Sequence, residues 1–90
     1  MKKKNLNAIE YLESKMSAEE IDEVNLATAI ASELVKARGE LGISQKELES
    51  LTGIKQPMIT RIERGNVSPT LLTISKLLRP LGKKLIVVPA

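Results

Sequence analysis

Two short helices joined by a tight turn are the strongest prediction of this 90-residue sequence, and both lie within residues 44–65. The run Ser44–Glu47 has the Ser-x-x-Glu spacing of a capping box, in which a hydroxyl and a carboxylate satisfy backbone amides at a helix start. Gly53 predicts the end of that helix, because glycine adopts the left-handed conformation without steric cost. Pro57 falls in the first turn of the next helix, where a missing amide costs little, and Gly65 ends it.

The second helix, predicted over Lys55–Arg64, has one apolar face and one polar face. The inward positions of the two helices are Leu48, Leu51, Ile54, Ile59 and Ile62. The opposite face of the second helix presents Gln56, Thr60, Arg61 and Arg64. Side chains of these types can bond base edges and phosphates of duplex DNA. Two short helices, a tight turn and such a face together predict a helix-turn-helix.

Helical patterns also precede this motif. A first helix is predicted over residues 5–15, where Asn5 can cap an apolar period of three to four residues. A second capping box at Ser17–Glu20 starts another helix, whose apolar period continues to Gly39 or Gly42. We expect a break in that helix near Asn25.

The C-terminal part predicts one more helix and one strand. Ser68 is expected to cap a helix with Pro69 at its first position, and Pro80 ends it. The inward residues of this helix are Leu71, Ile74, Leu77 and Leu78. Residues 83–90 are apolar, partly β-branched and bounded by charge and proline, so they predict a single strand.

The charges divide the chain into an acidic arm and a basic body. Residues 1–33 carry four Lys against seven acids, a net charge of −3, whereas residues 34–90 carry ten Lys and Arg against four acids, a net charge of +6. A basic body suits a polyanion, and an acidic arm suits a different, basic partner. On charge alone, two ordinary solvated faces are the alternative interpretation.

Composition excludes several classes of function. The chain has no Cys and no His, so it offers neither soft zinc ligands nor an imidazole base. Its single Tyr is the only aromatic residue, which argues against stacking on single strands. The acids at 19, 20, 22 and 23 diverge around a helix, so we predict no metal, no cofactor and no enzyme activity. Without a signal-peptide core or an apolar run of roughly 20 residues, the sequence predicts a cytoplasmic chain.

The segment GISQKELESLTGIKQPMITRIERGNVSPTLLTISKLLRPLG, Gly42–Gly82, resembles the Xre/Cro-type helix-turn-helix of phage repressors and related bacterial regulators, including antitoxins. The matching positions are Ser44-Gln45, Leu48, Gly53-Ile54, Ile59, Arg61-Ile62-Glu63 and Gly65. The resemblance implies an all-α, lambda-repressor-like fold with a helical extension, a DNA-binding domain and a C-terminal β-strand. The expected boundaries are 1–25, 26–82 and 83–90. Two residues depart from the family pattern, because Glu49 stands where it favours Ala and Lys55 where it favours a capping Ser or Thr.

The resemblance implies that the second helix of the motif lies in the major groove of an operator. Gln56 is then suited to adenine and Arg61 to guanine, while Gln45 donates to a phosphate. Lys55 contacts a phosphate or points into solvent, and Glu63 has a structural role, bonding backbone amides near the turn. The predicted DNA-binding residues are Gln45, Lys55, Gln56, Pro57, Thr60, Arg61 and Arg64. The alternative is a solvated face on which Arg61 pairs with Glu63 or Glu47.

The acidic arm and the C-terminal strand favour, within this family, an antitoxin of the host-inhibition-of-growth type. Such a protein binds a small, basic ribonuclease toxin and represses their shared operon. The predicted toxin-binding residues are Leu6, Ile9, Glu10, Tyr11, Leu12, Glu13, Glu19, Glu20, Asp22 and Glu23. Strand pairing between two copies, which gives a homodimer, would use Leu85, Ile86, Val87 and Val88. The alternatives are a stand-alone phage-like repressor, an interaction module that does not read DNA, and an arm that packs on its own body.

Overall fold

Four α-helices form the part of the chain that the computed structural model describes, residues 16–90. Helix α1 is Ala18–Leu41, α2 is Gln45–Thr52, α3 is Gln56–Glu63 and α4 is Leu71–Leu78, followed by a 3₁₀ turn at Arg79–Leu81. The predicted helix over residues 5–15 lies outside the described residues. Over residues 16–90 no helix combines the length and the apolar character needed to cross a membrane.

Both predicted capping boxes are confirmed. Ser17 Oγ accepts from the amide of Glu20 at 3.1 Å, and Glu20 Oε1 accepts from the amide of Ser17 at 2.9 Å. Ser44 and Glu47 form the same pair at the start of α2, at 3.0 and 2.8 Å. The backbone amides of the two serines lower the pKa of Glu20 and of Glu47, because they stabilise the ionised carboxylates. Helix α2 ends as predicted at Gly53, whose φ of 78° is left-handed.

The predicted break near Asn25 is wrong, because α1 is one continuous helix of 24 residues. An exposed asparagine inside a helix costs less than about 1 kcal/mol, which is too little to interrupt a helix anchored elsewhere. The anchor is the C-terminal half of α1, where Ala31, Leu34 and Ala37 are buried. The predicted boundary between residues 25 and 26 therefore falls within a single helix.

The core lies where the four helices meet. Its buried residues are Leu34, Ala37, Leu48, Ile59, Ile62, Ile74, Leu77, Leu78 and Leu81, with Ile30, Ile43, Ile54 and Val67 packed against them. Burying a leucine or isoleucine side chain stabilises a fold by about 1.5–3 kcal/mol. Helices of eight residues are marginal in isolation, so α2, α3 and α4 depend on this shared core for their stability.

Two predicted inward residues and one predicted cap are wrong. Leu51 is 60% exposed and Leu71 is 76% exposed, because the core covers only a narrow stripe of each short helix. Helix α4 begins later than predicted, at Leu71, and Thr70 is its cap, accepting from the amide of Thr73 at 3.1 Å. Ser68 instead donates to Glu23 of α1 at 2.6 Å.

The predicted strand over residues 83–90 is also wrong for the single chain, since these residues form no regular structure. A strand needs a second strand to satisfy its ladder of amides, and residues 16–90 contain none. Leu85 lines a shallow groove with Leu26 and Ile30 of α1, whereas Val87 is fully exposed. The apolar tail thus has no partner strand within residues 16–90.

Gly39→Ala and Gly53→Ala are expected to change stability in opposite directions. A Cβ at either glycine would have no atom within 4 Å, so only backbone conformation distinguishes them. Gly39 lies inside α1, where alanine is favoured by about 0.5–1 kcal/mol, whereas at the left-handed Gly53 a side chain costs about 1–2 kcal/mol. Urea unfolding measures both changes, and a destabilising Gly39→Ala or a neutral Gly53→Ala would contradict this account.

Candidate nucleic-acid interface

Helix α3 buries its isoleucines and leaves its polar side chains at the surface. Ile59 and Ile62 face the core, as predicted. Gln56 and Thr60 are half-buried at the contact with α2. The exposed predicted DNA-binding residues are Lys55, Pro57, Arg61 and Arg64. The polar face predicted from the sequence is therefore present on one short, firmly packed helix.

Gln45 at the start of α2 brings three of the predicted DNA-binding residues together. Its Oε1 accepts from Thr60 Oγ1 at 3.0 Å and from Gln56 Nε2 at 3.3 Å. Its Nε2 donates to Glu63 Oε1 at 2.8 Å. A primary amide has two N–H groups, so Gln45 keeps a second donor for the phosphate contact expected of it.

Arg38 of α1 forms the ion pair that supports this hydrogen-bonded group. Its Nε and Nη2 donate to the two oxygens of Glu63 at 2.6 and 2.9 Å, and its Nη1 donates to the carbonyl of Ile43 at 2.8 Å. The two side chains are only 18% and 6% exposed. One guanidinium thus connects α1, the turn before α2 and the end of α3.

The predicted structural role of Glu63 is correct, but its predicted partners are wrong, because it bonds Arg38 and Gln45 instead of backbone amides. Sequence reasoning missed Arg38 altogether. The available signal was weak: Glu63 directly follows a core isoleucine, and a carboxylate buried at that position would require a cation. The sequence does not say which of several Lys and Arg residues that cation is.

Burial raises the pKa of Glu63, but the hydrogen bonds from Arg38 and Gln45 outweigh it and hold that pKa below its usual value. The hydrogen bond to Glu63 in turn raises the pKa of Arg38. Both groups are therefore charged at neutral pH, as the bidentate geometry requires.

The start of α3 has no side-chain cap of its own. Lys55 is the residue before the helix and makes no capping bond, as the sequence predicts. Glu49 of α2 supplies the acceptor instead, because its Oε1 accepts from the amide of Gln56 at 3.1 Å. The two departures from the family pattern, Glu49 and Lys55, therefore meet at one helix end.

Arg61 is not held by the acids that the alternative interpretation proposed. The ion pairs within residues 16–90 are Arg38–Glu63 and Lys55–Glu49, and Arg61 takes part in neither. Its guanidinium is exposed on the same helix as Gln56. A guanidinium is the group that most often reads guanine in a major groove, and a glutamine amide is suited to adenine.

The residues predicted to bind a toxin divide into two groups. Leu6, Ile9, Glu10, Tyr11, Leu12 and Glu13 lie outside the described residues. Glu19, Glu20, Asp22 and Glu23 are exposed at the start of α1. Glu20 belongs to the capping box and Glu23 bonds Ser68, whereas the side chains of Glu19 and Asp22 form no hydrogen bond or ion pair within residues 16–90. In that same part of the chain, no group of acids is arranged to hold a metal ion.

Arg38→Ala is expected to lower the free energy of unfolding at pH 7 by about 2–4 kcal/mol, because it leaves the carboxylate of Glu63 without its cation. Lys36→Ala, at an exposed position of α1, is the control and should be neutral.

The same variant has an expected pH dependence. Since the folded pKa of Glu63 is lowered, its contribution is complete above the unfolded value of about 4.3 and is lost as pH falls through the folded value. The difference between wild type and Arg38→Ala should therefore shrink when urea unfolding is repeated below pH 4. A difference that is the same at both pH values would show that the ion pair is not its source.

Comparison with known proteins agrees with this geometry. A helix-turn-helix family model matches residues 34–88. An uncharacterized HTH-type transcriptional regulator of Haemophilus influenzae is 54% identical over 80 residues, which cover 89% of this chain and 82% of the relative. Another from Sinorhizobium fredii is 30% identical over 59 residues, which cover 66% of this chain and 77% of the relative.

A solved structure extends the similarity along nearly the whole chain. It is described as a toxin-antitoxin module from Streptococcus pneumoniae, with 48% identity, a TM-score of 0.67, and coverage of 94% of this chain and 93% of that chain. With this fold and these relatives, the chain belongs to the Xre-type helix-turn-helix family of DNA-binding transcriptional regulators, which is a family without enzymatic activity.

Proposed function

We propose that this protein is the antitoxin of a two-protein toxin-antitoxin module, of the host-inhibition-of-growth type. It binds and neutralises a small ribonuclease toxin and represses the operon that encodes both. The observation that carries this proposal is the similarity to the Streptococcus pneumoniae module, which covers 94% of the chain. The family model alone starts at residue 34, so the wider match includes most of the acidic arm.

DNA reading is assigned to α3. Gln56 and Arg61 contact bases, and Lys55 and Arg64 contact phosphates, with Pro57 and Thr60 against the groove floor and Gln45 on the flanking backbone. The exposure of both arginines and the fixed position of Gln56 support this assignment. The net charge of +6 on residues 34–90 gives the long-range attraction to a duplex.

Arg61→Ala and Lys55→Ala are expected to weaken DNA binding in different ways. Arg61→Ala should lose about 1–3 kcal/mol of binding free energy and relax the preference at one base pair. Lys55→Ala should weaken binding to every duplex alike and reduce the slope of log affinity against log salt concentration by about 1. The measurement is fluorescence anisotropy at several salt concentrations, with the DNA upstream of the protein's own gene and a scrambled duplex. If both variants bind the upstream DNA like wild type, α3 does not read it.

Toxin binding is assigned to the acidic arm. A ribonuclease presents cations to bind RNA, so an acidic surface attracts it and competes with its substrate. Glu19 and Asp22 supply exposed charge on the described part of the arm. The apolar residues predicted to anchor the contact, Leu6, Ile9, Tyr11 and Leu12, precede them in the sequence.

We expect a small basic protein to be encoded beside this gene, and that protein is used to test the toxin assignment. Its expression alone should arrest growth and degrade RNA, and co-expression of this chain should restore growth. Glu19→Lys with Asp22→Lys should slow association with that protein and leave DNA affinity unchanged, and these two acids avoid the capping box of Glu20. Glu40→Lys, at an exposed position of α1 outside the acidic arm, is the control for a charge reversal.

Two results would contradict the toxin assignment. Rescue that survives the Glu19 and Asp22 reversal, with unchanged association, would place the toxin contact elsewhere. Operator binding with no effect of this chain on the neighbouring protein would favour a stand-alone repressor.

Dimer formation is assigned to the C-terminal tail. Leu85, Ile86, Val87 and Val88 are 42%, 69%, 100% and 65% exposed, an unusual run of accessible aliphatic side chains. Pairing with the same segment of a second copy would satisfy its backbone and cover these side chains. A two-fold dimer of this kind would place the two α3 helices about 34–36 Å apart, one DNA turn, on a near-palindromic operator.

Deletion of residues 84–90 is expected to convert the dimer to a monomer, measured by light scattering across a range of concentrations. Ser75→Ala on the exposed part of α4 is a control that should leave the dimer intact. A dimer that persists after the deletion would assign the interface to other exposed apolar residues, such as Leu71 and Leu72.

A further inference from the structure

The first turn of α3 depends on one acceptor from another helix. Pro57 has no amide hydrogen, and the amide of Met58 bonds the carbonyl of Lys55 at 2.9 Å. The amide of Gln56 is the remaining donor at this end, and Glu49 Oε1 accepts from it at 3.1 Å. Glu49 therefore supplies a side-chain acceptor at a helix end where Lys55 supplies none.

This contact fixes the backbone of the residue that is proposed to read a base. The side chain of Gln56 is held separately, by Gln45 at 3.3 Å. A base reader held at both its backbone and its side chain needs little ordering when DNA arrives. Loss of the Glu49 contact would free the first turn of α3 while leaving Ile59 and Ile62 in the core.

The same carboxylate also places a negative charge at the N-terminal end of α3. The N-terminal end of a helix attracts anions, and in DNA-binding proteins such an end is suited to a phosphate. Here Glu49 occupies that end and lies 4.0 Å from Lys55 Nζ through its second oxygen. Lys55 is 83% exposed, so the pair is weak, but Glu49 still competes with any phosphate for this cation.

We infer that Glu49 is a specificity-determining residue, which positions Gln56 and also repels the DNA backbone. The inference rests on the proposed operator binding by α3. Positioning of Gln56 favours only the duplex that carries the matching base, whereas repulsion of phosphate weakens every duplex. Positioning of Gln56 therefore increases the ratio of operator affinity to non-specific affinity, whereas repulsion lowers both affinities by the same factor.

Glu49→Gln and Glu49→Ala separate the two effects in the full-length chain. Glutamine removes the charge but keeps an amide oxygen that can accept from Gln56, whereas alanine removes both. Glu33→Gln is the control, because it makes the same change in net charge beside Lys83 and Lys84, in the groove between α1 and the tail. Affinity is measured by fluorescence anisotropy against the upstream DNA and a scrambled duplex, over a range of salt concentrations.

Glu49→Gln is expected to bind both duplexes about 3–10-fold more tightly at low salt, with a salt slope steeper by up to about 0.9. Its preference at the base pair read by Gln56 should match wild type. Glu49→Ala should bind the scrambled duplex as tightly as Glu49→Gln does, but its preference at that base pair should fall to the level of Gln56→Ala. In a Gln56→Ala background, Glu49→Ala and Glu49→Gln should then be indistinguishable.

Two results would overturn the inference. If Glu49→Gln and Glu33→Gln show the same affinities and slopes, the carboxylate does not repel DNA. If Glu49→Ala keeps the wild-type base preference, it does not position Gln56. A wild-type chain without preference for the upstream DNA would instead refute the proposed function, which distinguishes the two failures. If Glu49→Ala fails to fold by circular dichroism, Glu49→Gln still decides the repulsion, and Glu49→Leu, which also removes the acceptor, replaces Glu49→Ala as the test of positioning.

Discussion

The ion pair between Arg38 and Glu63 is the interaction on which the position of helix α3 depends. Arg38 Nε lies 2.6 Å from Glu63 Oε2, and this contact joins the long helix α1 to the last turn of α3. Glu63 also accepts a hydrogen bond from Gln45. Gln45 in turn bonds Gln56 and Thr60. A helix of eight residues cannot set its own orientation, so contacts of this kind determine where its polar face points.

Helix α3 is held at three places that differ in their chemistry. Glu49 holds its first amide, Ile59 and Ile62 are buried at its middle, and Glu63 holds its end. Each of these contacts leaves the exposed side of the helix uncovered. Arg61, on that exposed side, takes part in none of them.

Local signals made much of this fold predictable. The capping boxes at Ser17 and Ser44 and the stop at Gly53 each depend on residues within one turn, and all three are confirmed. The burial of Leu48, Ile59 and Ile62 between the helices was also predictable from local sequence, because apolar residues at a period of three to four mark a buried stripe.

Contacts between distant residues were not predictable from the same signals. The partner of Glu63 lies 25 residues away, and the cap of α3 comes from Glu49 in another helix. The exposure of Leu51 and Leu71 depends on how far each short helix is covered by its neighbours, which a periodic pattern does not report. The composition of the tail predicts a strand. A strand also requires a second strand to pair with, and residues 16–90 contain none.

Amide hydrogen exchange, followed residue by residue by NMR, tests most directly whether the ion pair holds α3 in place. In wild type, the amides of Ile62 and Glu63 should exchange as slowly as those of Leu34 in α1 and Leu77 in α4, through global unfolding. In Arg38→Ala, the α3 amides should exchange by local opening, faster than those of Leu34 and Leu77. A uniform acceleration across all helices would contradict the account, because it would mean that Arg38 stabilises the whole fold without positioning α3.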